Sequence, residues 1–143
     1  MEFVRLRSMG VLVGALTAMA VGAQDKEPSA KEMYEAYAGH WHEVSKNFKS
    51  TAQRCKSGEL KGLQCIGPAT SGITEIKVLA LDKYKCVVAR DRNGHNCTFK
   101  PEVEVRGSND AMARSLAASL NGPKTNLFRR VSGSMVIEER SDQ

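Results

Sequence analysis

The sequence predicts an α+β domain in which a long N-terminal helix packs on a mostly antiparallel sheet, and three observations support this prediction. Apolar residues recur at three- and four-residue spacings over residues 34–48, which indicates one amphipathic helix. Apolar and polar residues then alternate over residues 97–106, which is typical of a half-buried strand. Four cysteines predict two disulfide bonds. The predicted order is helix, loop, three strands, short helix and hairpin.

The first 23 residues have the layout of a cleavable secretory signal peptide. Arg5 and Arg7 give a positive start, and residues 9–23 carry no charged side chain and end in small residues. This run is shorter than the roughly 20 apolar residues of a transmembrane helix, so a retained anchor is the less favoured alternative. We expect residues 24–143 to form a single domain, periplasmic or secreted, with no stable membrane span after cleavage.

The distribution of charge argues against a nucleic-acid partner. The formal net charge is +5, and the basic residues are scattered along the chain instead of forming the stripe that nucleic-acid-binding proteins show. A weak preference for anionic envelope surfaces is an alternative, although ordinary solvated faces explain the same residues.

The cysteines follow the predicted signal peptide, and an even number of them in an exported chain indicates disulfides. Three pairings are possible for four cysteines. The local pairing of Cys55 with Cys65 and Cys86 with Cys97 is favoured because each pair brackets a loop that contains Gly. A zinc site is the alternative, but the chain has no C-x-x-C pair and none of the spacings of zinc modules. No metal or other cofactor is therefore expected.

The strongest predicted helix begins after Ser29 and runs to about Ser50. Ser29 and Glu32 have the spacing of a capping box. The apolar face of this helix holds Tyr34, Tyr37, Trp41, Val44 and Phe48. We expect this face to be buried against the sheet, and a ligand platform is the alternative.

Residues 51–72 are predicted to be irregular, because glycines and a proline interrupt any period. Strands are predicted at residues 73–81, 84–89 and 97–106. Asp82 and Lys83 supply a turn between the first two strands. Pro101 lacks a backbone N–H, so it predicts an edge position or a bulge in the third strand.

The link between the second and third strands gives two conflicting predictions. Asn93-Gly94 predicts a tight two-residue hairpin turn, which would place Arg90 opposite Cys97. A Cys86–Cys97 disulfide requires a longer or bulged loop instead, and we favour the disulfide.

The last third of the chain predicts a short helix followed by a hairpin. Asn109 or Asp110 can cap a helix that ends near Leu120, where Asn121-Gly122-Pro123 stops it. Strands at residues 127–131 and 135–139 then flank a turn at residues 132–134.

The sequence shows no catalytic constellation, so an enzyme is not the favoured interpretation. His40 and His42 lie two residues apart on a helix, and their side chains therefore point apart and cannot chelate one metal ion. His95 lies in a predicted turn, where exposure to solvent is expected. Glu102 and Glu104 share the polar face of one strand, but this spacing describes an ordinary solvated strand equally well.

The second half of the chain combines a strand with two spaced cysteines: Ile76-Lys77-Val78, then Cys86, then Gly94-His95-Asn96-Cys97-Thr98-Phe99. Phe128-Arg129-Arg130 then precedes a hairpin. Over residues 73–139 this pattern resembles small exported proteobacterial proteins of unknown function, although those proteins usually have an aromatic residue at the place of His95 and an acidic one at the place of Thr98. The resemblance implies a helix laid on an antiparallel sheet in a cystatin-like roll, with Cys86 bonded to Cys97. It implies no activity.

The leading hypothesis is an exported module that binds another envelope or secreted protein, as an inhibitor, an immunity-type protein or an assembly factor. Loops held on a rigid scaffold are common binding sites. The recognition surface is therefore predicted in the loop of residues 56–72 or at the hairpin tip of residues 90–96. The candidate contact residues at that tip are Arg90, Arg92 and His95.

Two further hypotheses belong to other classes of protein. A small-ligand carrier or small enzyme would use a pocket between the long helix and the sheet, with Tyr34, Tyr37 and Trp41 in its wall. A structural subunit of a secretion or cell-wall assembly would instead co-purify with a large complex.

Overall fold

A computed structural model of the protein describes residues 26–67 and 71–138, and the predicted signal peptide at residues 1–23 lies outside the described residues. Within them the chain forms two α-helices, a short 3-10 turn at Gly62–Cys65 and one antiparallel sheet in the order β1-β2-β3-β4. The predicted α+β fold is confirmed. The elements are α1 (Ala30–Lys56), β1 (Ile73–Val88), β2 (His95–Gly107), α2 (Asp110–Leu120), β3 (Lys124–Val131) and β4 (Ser134–Glu138).

The capping box at the start of α1 is confirmed. The Ser29 hydroxyl accepts a hydrogen bond from the Glu32 N–H at 3.1 Å, and the Glu32 carboxylate accepts one from the Ser29 N–H at 2.9 Å. The pKa of Glu32 is lowered from 4.5 to about 2, first because the Ser29 N–H donates to its carboxylate and then because Arg130 donates to it. The helix ends at Lys56, beyond the predicted end near Ser50, because residues 51–56 include the good helix formers Ala, Gln, Arg and Lys.

The sheet curls around α1, and both of its edge strands, β1 and β4, contact the helix. Three edge-to-face ring contacts form a chain from the helix into the sheet. Tyr37 contacts Trp41 within α1 at 6.2 Å, Tyr37 contacts Phe99 of β2 at 5.2 Å, and Phe99 contacts Phe128 of β3 at 5.6 Å between ring centres. Such pairs each add about 0.5–1.5 kcal/mol beyond the apolar area they bury. The aromatic face of α1 packs on the core as predicted, with Tyr37 buried and the other four residues partly buried.

β1 is one strand where two were predicted. The predicted turn at Asp82-Lys83 is wrong, because Asp82 pairs with Lys100 and Lys83 with Phe99 without a break in the strand. The register shifts between Val78 and Ala80 and between Lys83 and Lys85 instead. Such bulges let a strand bend and continue, and here they let β1 follow the curl of the sheet.

Cys86 is bonded to Cys97 and Cys55 to Cys65, so the favoured pairing is confirmed. Cys86 lies directly opposite Cys97 in the ladder, and the predicted two-residue turn at Asn93-Gly94 is therefore wrong. The loop spans residues 89–94 and is closed by a hydrogen bond from the Ala89 N–H to the Gly94 carbonyl at 3.0 Å. Gly94 has a φ of 117°, and a side chain at this position would collide with the Phe128 carbonyl oxygen.

The alternation predicted for the third strand is confirmed in β2, where His95, Cys97, Phe99, Pro101 and Val103 are all buried. β3 pairs with β2 only as far as Phe99, so Pro101 lies on a free edge as predicted. Beyond it the Asn121 side chain takes the place of a neighbouring strand. Its Oδ1 accepts from the Val103 N–H at 2.6 Å, and its Nδ2 donates to the Val103 carbonyl at 3.0 Å.

α2 and the terminal hairpin agree with the sequence. The Asn109 side chain accepts a hydrogen bond from the Met112 N–H at 3.1 Å and caps α2. β3 and β4 are joined at Ser132-Gly133, which have φ angles of 51° and 81°, as a two-residue hairpin turn of type I′ requires. Neither helix in the described ranges is long and apolar enough to cross a membrane.

Candidate protein-binding surfaces

The hairpin tip predicted at residues 90–96 consists of the loop up to Gly94 and the first two residues of β2, and it lies at one end of the roll. Arg90 and Arg92 are both exposed there, as the sequence analysis expected of contact residues. Arg92 lies 3.6 Å from a carboxylate oxygen of Glu138, and Arg129 lies 2.5 Å from the other oxygen. Within the described residues no carboxylate pairs with Arg90, whose guanidinium is therefore available to a partner.

His95 is buried, with only 7% of its surface exposed, and the expectation of an exposed turn residue is wrong. The residue belongs to the interior face of β2, two positions before Cys97, and it pairs with Phe128 of β3. Among the described residues nothing hydrogen-bonds to its Nδ1. His95 can thus support the tip from inside but does not contribute to its outer surface.

The three aromatic residues predicted to line a pocket have different positions. Tyr37 is 1% exposed and belongs to the core. Trp41 is half-buried beside Tyr37 and His40. Tyr34 donates a hydrogen bond from its hydroxyl to the Val78 carbonyl at 3.2 Å. Only Tyr34 is placed where a ligand between α1 and β1 could touch it.

An open groove of about 450 Å³ does lie between α1 and β1. It differs from the predicted pocket because Tyr37 and Trp41 do not line it. Its walls combine the buried Ile76 and Val78 with the polar residues His42, Lys46 and Lys49 of α1. The groove is thus open and mixed in charge, with lysines outnumbering its one carboxylate, Glu75, and with Lys46 paired to Glu43.

The disulfide loop, residues 57–67, lies at the end of α1 and carries the two most exposed large apolar side chains among the described residues. Leu63 is 86% exposed and Ile66 is 70% exposed. The Cys55–Cys65 bond, with 5.8 Å between the two Cα atoms, ties this loop to the last turn of the helix. Two apolar side chains at such exposure on a tethered loop make this loop a candidate contact surface.

The disulfide loop is internally ordered, and together with the last turn of α1 it carries a small excess of positive charge. Arg54 of α1 donates to Glu59 at 2.9 Å, and the Leu60 N–H donates to the Arg54 carbonyl at 3.0 Å. Lys56 and Lys61 are exposed, and no carboxylate of the described residues pairs with them. The sequence analysis included this loop but missed Leu63 and Ile66; its one available signal was a pair of large apolar residues between glycines and beside a cysteine.

The outer edge of β1, the side away from β2, is covered by other parts of the chain over most of its length. The Ser45 hydroxyl accepts from the Ile76 N–H at 2.9 Å, and the Tyr34 hydroxyl donates to the Val78 carbonyl. Further along, the Lys83 ammonium donates to the Pro28 carbonyl at 2.8 Å and pairs with Glu27. Pairing with Lys83 lowers the pKa of Glu27 below its usual value.

The last part of β1, residues 84–88, has no such cover among the described residues; we call it the edge segment. Its exposed apolar side chains are Tyr84 at 55%, Val87 at 53% and Val88 at 50%. Proteins usually protect strand edges with charged residues, bulges or covering segments. The edge segment has the exposed Lys85 beside a register shift, but its three exposed apolar side chains still make it a second candidate contact surface.

No cluster of His, Cys, Asp or Glu in the described ranges has the geometry to hold a metal ion. Glu104, one of the two carboxylates noted on β2, pairs with Arg106 at 2.7 Å. No protein-family model, curated protein or solved structure matches this chain. The resemblance to small exported proteobacterial proteins stays a prediction, and function is inferred from the exposed surfaces: the disulfide loop, the edge segment and the hairpin tip.

Proposed function

We propose that this chain is an exported protein-binding module, periplasmic or secreted, that docks another envelope or secreted protein through its disulfide loop. Its two disulfides suit an oxidising compartment. The observation that carries the proposal is the display of Leu63 and Ile66 on a loop that the Cys55–Cys65 bond ties to α1. An inhibitor, an immunity-type protein and an assembly factor would all use such a surface.

The tether on the loop favours binding through pre-organisation. Burying a Leu or Ile side chain in a partner is worth roughly 1.5–3 kcal/mol, and a few such anchors dominate the affinity of most protein interfaces. A tethered loop has already lost much of the conformational freedom that binding would otherwise remove. Leu63 and Ile66, which we call the apolar anchors, are therefore large apolar side chains whose immobilisation on binding costs little conformational entropy.

The charges near the anchors favour a partner of opposite charge. Lys56 at the end of α1 and Lys61 in the loop both precede the anchors and are exposed, whereas the one acidic residue of the loop, Glu59, already pairs with Arg54. A complementary partner has an apolar pocket with an acidic rim, because opposite charges on a rim accelerate encounter and exclude wrong partners. Raising the salt concentration is expected to lower the association rate constant, and to change the dissociation rate constant less.

The test is capture of partners by oxidised, tagged residues 24–143 from the envelope and culture fluid of the source organism, read by mass spectrometry. The same capture is run with the variant Leu63→Ser/Ile66→Ser and with the control Met112→Ser/Val131→Ser, which changes apolar residues that are also exposed. We expect the control to retain one stoichiometric protein and the loop variant to lose it at least tenfold.

Two results would contradict the placement. If the loop variant captures the same protein as well as the control does, the disulfide loop is not the recognition surface. Charge reversal at Arg90 and Arg92 then tests the hairpin tip, the other surface that the sequence analysis predicted. If no protein is captured under any condition, the binding-module proposal itself fails.

A small-ligand carrier or small enzyme is the second candidate, favoured by the groove between α1 and β1. Lysines outnumber carboxylates among the residues that line it, which suits a small anionic ligand. Binding of anionic metabolites that is lost in Lys46→Ala/Lys49→Ala, but kept in Leu63→Ser/Ile66→Ser, would favour this candidate over protein binding.

A further inference from the structure

Two asparagines of this chain, Asn93 and Asn121, directly precede a glycine. In such a pair the backbone nitrogen of the glycine can attack the amide carbon of the asparagine side chain, because glycine has no side chain to obstruct the approach. The reaction requires that the folded protein leave the asparagine side chain and the next backbone N–H free to meet. The two positions differ in this respect.

Asn93 is free on the hairpin tip. It is exposed, and neither its side-chain amide nor the Gly94 N–H forms a hydrogen bond within the part of the chain that the structure describes. The Gly94 carbonyl accepts from the Ala89 N–H at 3.0 Å and so closes the loop without occupying the Gly94 N–H. Exposed loop tips with small or polar residues tolerate local rearrangement. The two reacting groups can therefore meet without breaking a hydrogen bond.

Asn121 has its side chain tied by three hydrogen bonds. Its Oδ1 accepts from the Val103 N–H at 2.6 Å, and its Nδ2 donates to the Val103 carbonyl at 3.0 Å and to the Ala117 carbonyl at 2.7 Å. These contacts fix the amide between β2 and the end of α2. The amide carbon can turn towards the Gly122 nitrogen only after they break, which costs free energy.

We propose that Asn93 is a site of spontaneous deamidation in the folded protein and that Asn121 is protected from it. The Gly94 nitrogen gives its proton to water or hydroxide and forms a bond to Cγ of Asn93, and the side-chain nitrogen leaves as ammonia. The cyclic imide that results takes up water at either of its carbonyl groups. The products are aspartate and isoaspartate, in which the backbone runs through the former side chain. The reaction consumes water and releases ammonia, so it needs no oxidant.

The modification would change the charge of the hairpin tip. Arg90, Asp91 and Arg92 together give the tip a net positive charge, which one new carboxylate at position 93 would cancel. Charges on a contact surface govern the rate and selectivity of encounter. A partner that contacts this tip would therefore distinguish fresh protein from aged protein. The reaction needs neither the disulfide loop nor a partner, so the inference does not rest on the proposed function.

The test is incubation of the oxidised mature chain at mildly alkaline pH, where backbone nitrogens lose their protons more readily. Peptide mapping by mass spectrometry then follows both asparagines, and enzymatic methylation labels isoaspartate. We expect Asn93 to convert at least tenfold faster than Asn121, which corresponds to a difference of about 1.4 kcal/mol in activation free energy. The matched control is the reduced, alkylated chain in guanidinium, where the two Asn-Gly pairs should convert at similar rates.

The variant Asn93→Gln has a side chain longer by one methylene, and it should lose the isoaspartate label at the tip. Equal conversion of the two asparagines in the folded protein, or faster conversion of Asn121, would overturn the inference. A rate difference that persists unchanged in the unfolded chain would also overturn it, because local sequence and not the fold would then be the cause. Absence of conversion at Asn93 in the folded protein, over a time in which the unfolded chain reacts, would overturn it as well.

Discussion

The two disulfides close loops of nearly equal length but belong to regions of different character. Cys86–Cys97 spans 11 residues and Cys55–Cys65 spans 10. The first joins neighbouring strands, and its Cys97 is completely buried against the core. The second joins the last turn of a helix to an exposed loop with Leu63 at its surface.

This difference separates two uses of the same bond. In the chain-entropy model each bond contributes about 3 kcal/mol, because that model counts only the length of the closed loop. In the folded protein, however, Cys86–Cys97, which we call the sheet-side bond, fixes a strand register on which the core depends. Cys55–Cys65, the loop-side bond, restrains residues that can lose order without unfolding the sheet. We infer that the first serves stability and the second serves presentation of the apolar anchors.

Removal of the sheet-side bond is expected to have the largest effect on stability. Cys86→Ala/Cys97→Ala loses the cross-link and leaves space in the core at position 97, for a combined loss of about 3–5 kcal/mol in the free energy of unfolding. Urea denaturation measured by circular dichroism gives this number. A loss below about 1 kcal/mol would contradict the structural role of this bond.

Removal of the loop-side bond is expected to have a smaller effect. Cys55→Ala/Cys65→Ala lets residues 57–67 gain freedom in the folded state as well as in the unfolded state, so the loss is about 1–2 kcal/mol. Hydrogen exchange should show faster exchange in the loop and unchanged exchange in β1 and β2. Equal destabilisation by the two double variants would remove the distinction between the two regions.

Acid is expected to lower the free energy of unfolding by weakening the contact between α1 and the sheet. Glu32 links the start of α1 to Arg130 of β3 at 2.6 Å. The pKa of Glu32 in the folded protein is about 2, below its ordinary 4.5. The carboxylate therefore stabilises the fold above pH 4.5, and this contribution is lost as the pH falls towards 2. Because the side chain is 38% exposed, screening limits the effect to about 1 kcal/mol.

Glu32→Gln is the matched variant for this prediction. Stability curves of the two proteins should differ above pH 4.5 and converge as the pH approaches 2. A constant difference between the curves across this range would show that the Glu32 charge does not contribute.

Changes confined to the apolar anchors are expected to have the smallest effect on stability. Leu63→Ser/Ile66→Ser alters exposed side chains, so its free energy of unfolding should stay within about 0.5 kcal/mol of that of the unchanged protein. A loss above 2 kcal/mol would mean that the anchors pack inside the protein and are not displayed on its surface.

The sequence analysis succeeded where a local rule applies. The Ser29–Glu32 capping box, the local cysteine pairing, the Asn109 cap and the alternation of β2 all follow from residues near each other in the chain. It failed where pairing across the sheet overrides local turn chemistry. Asp82-Lys83 is drawn into the ladder with β2, and Asn93-Gly94 becomes part of a longer loop because Cys86 must face Cys97.

The candidate sites were harder to predict than the fold. His95 was expected in a turn, but the start of β2 before Cys97 places it inside. Leu63 and Ile66 belong to a loop with no period, where sequence patterns do not distinguish a buried apolar residue from a displayed one. The edge segment depends on which parts of β1 are covered by α1 and by residues 27–28, and this is a property of the tertiary fold.

The most direct test of the central claim compares the affinity of the captured partner for the unchanged protein and for Cys55→Ala/Cys65→Ala. We expect at least a tenfold weaker complex for the variant, mainly through loss of pre-organisation, while the circular dichroism of the sheet stays the same. Unchanged affinity in a variant whose loop exchanges faster would contradict the claim that this disulfide presents a recognition surface.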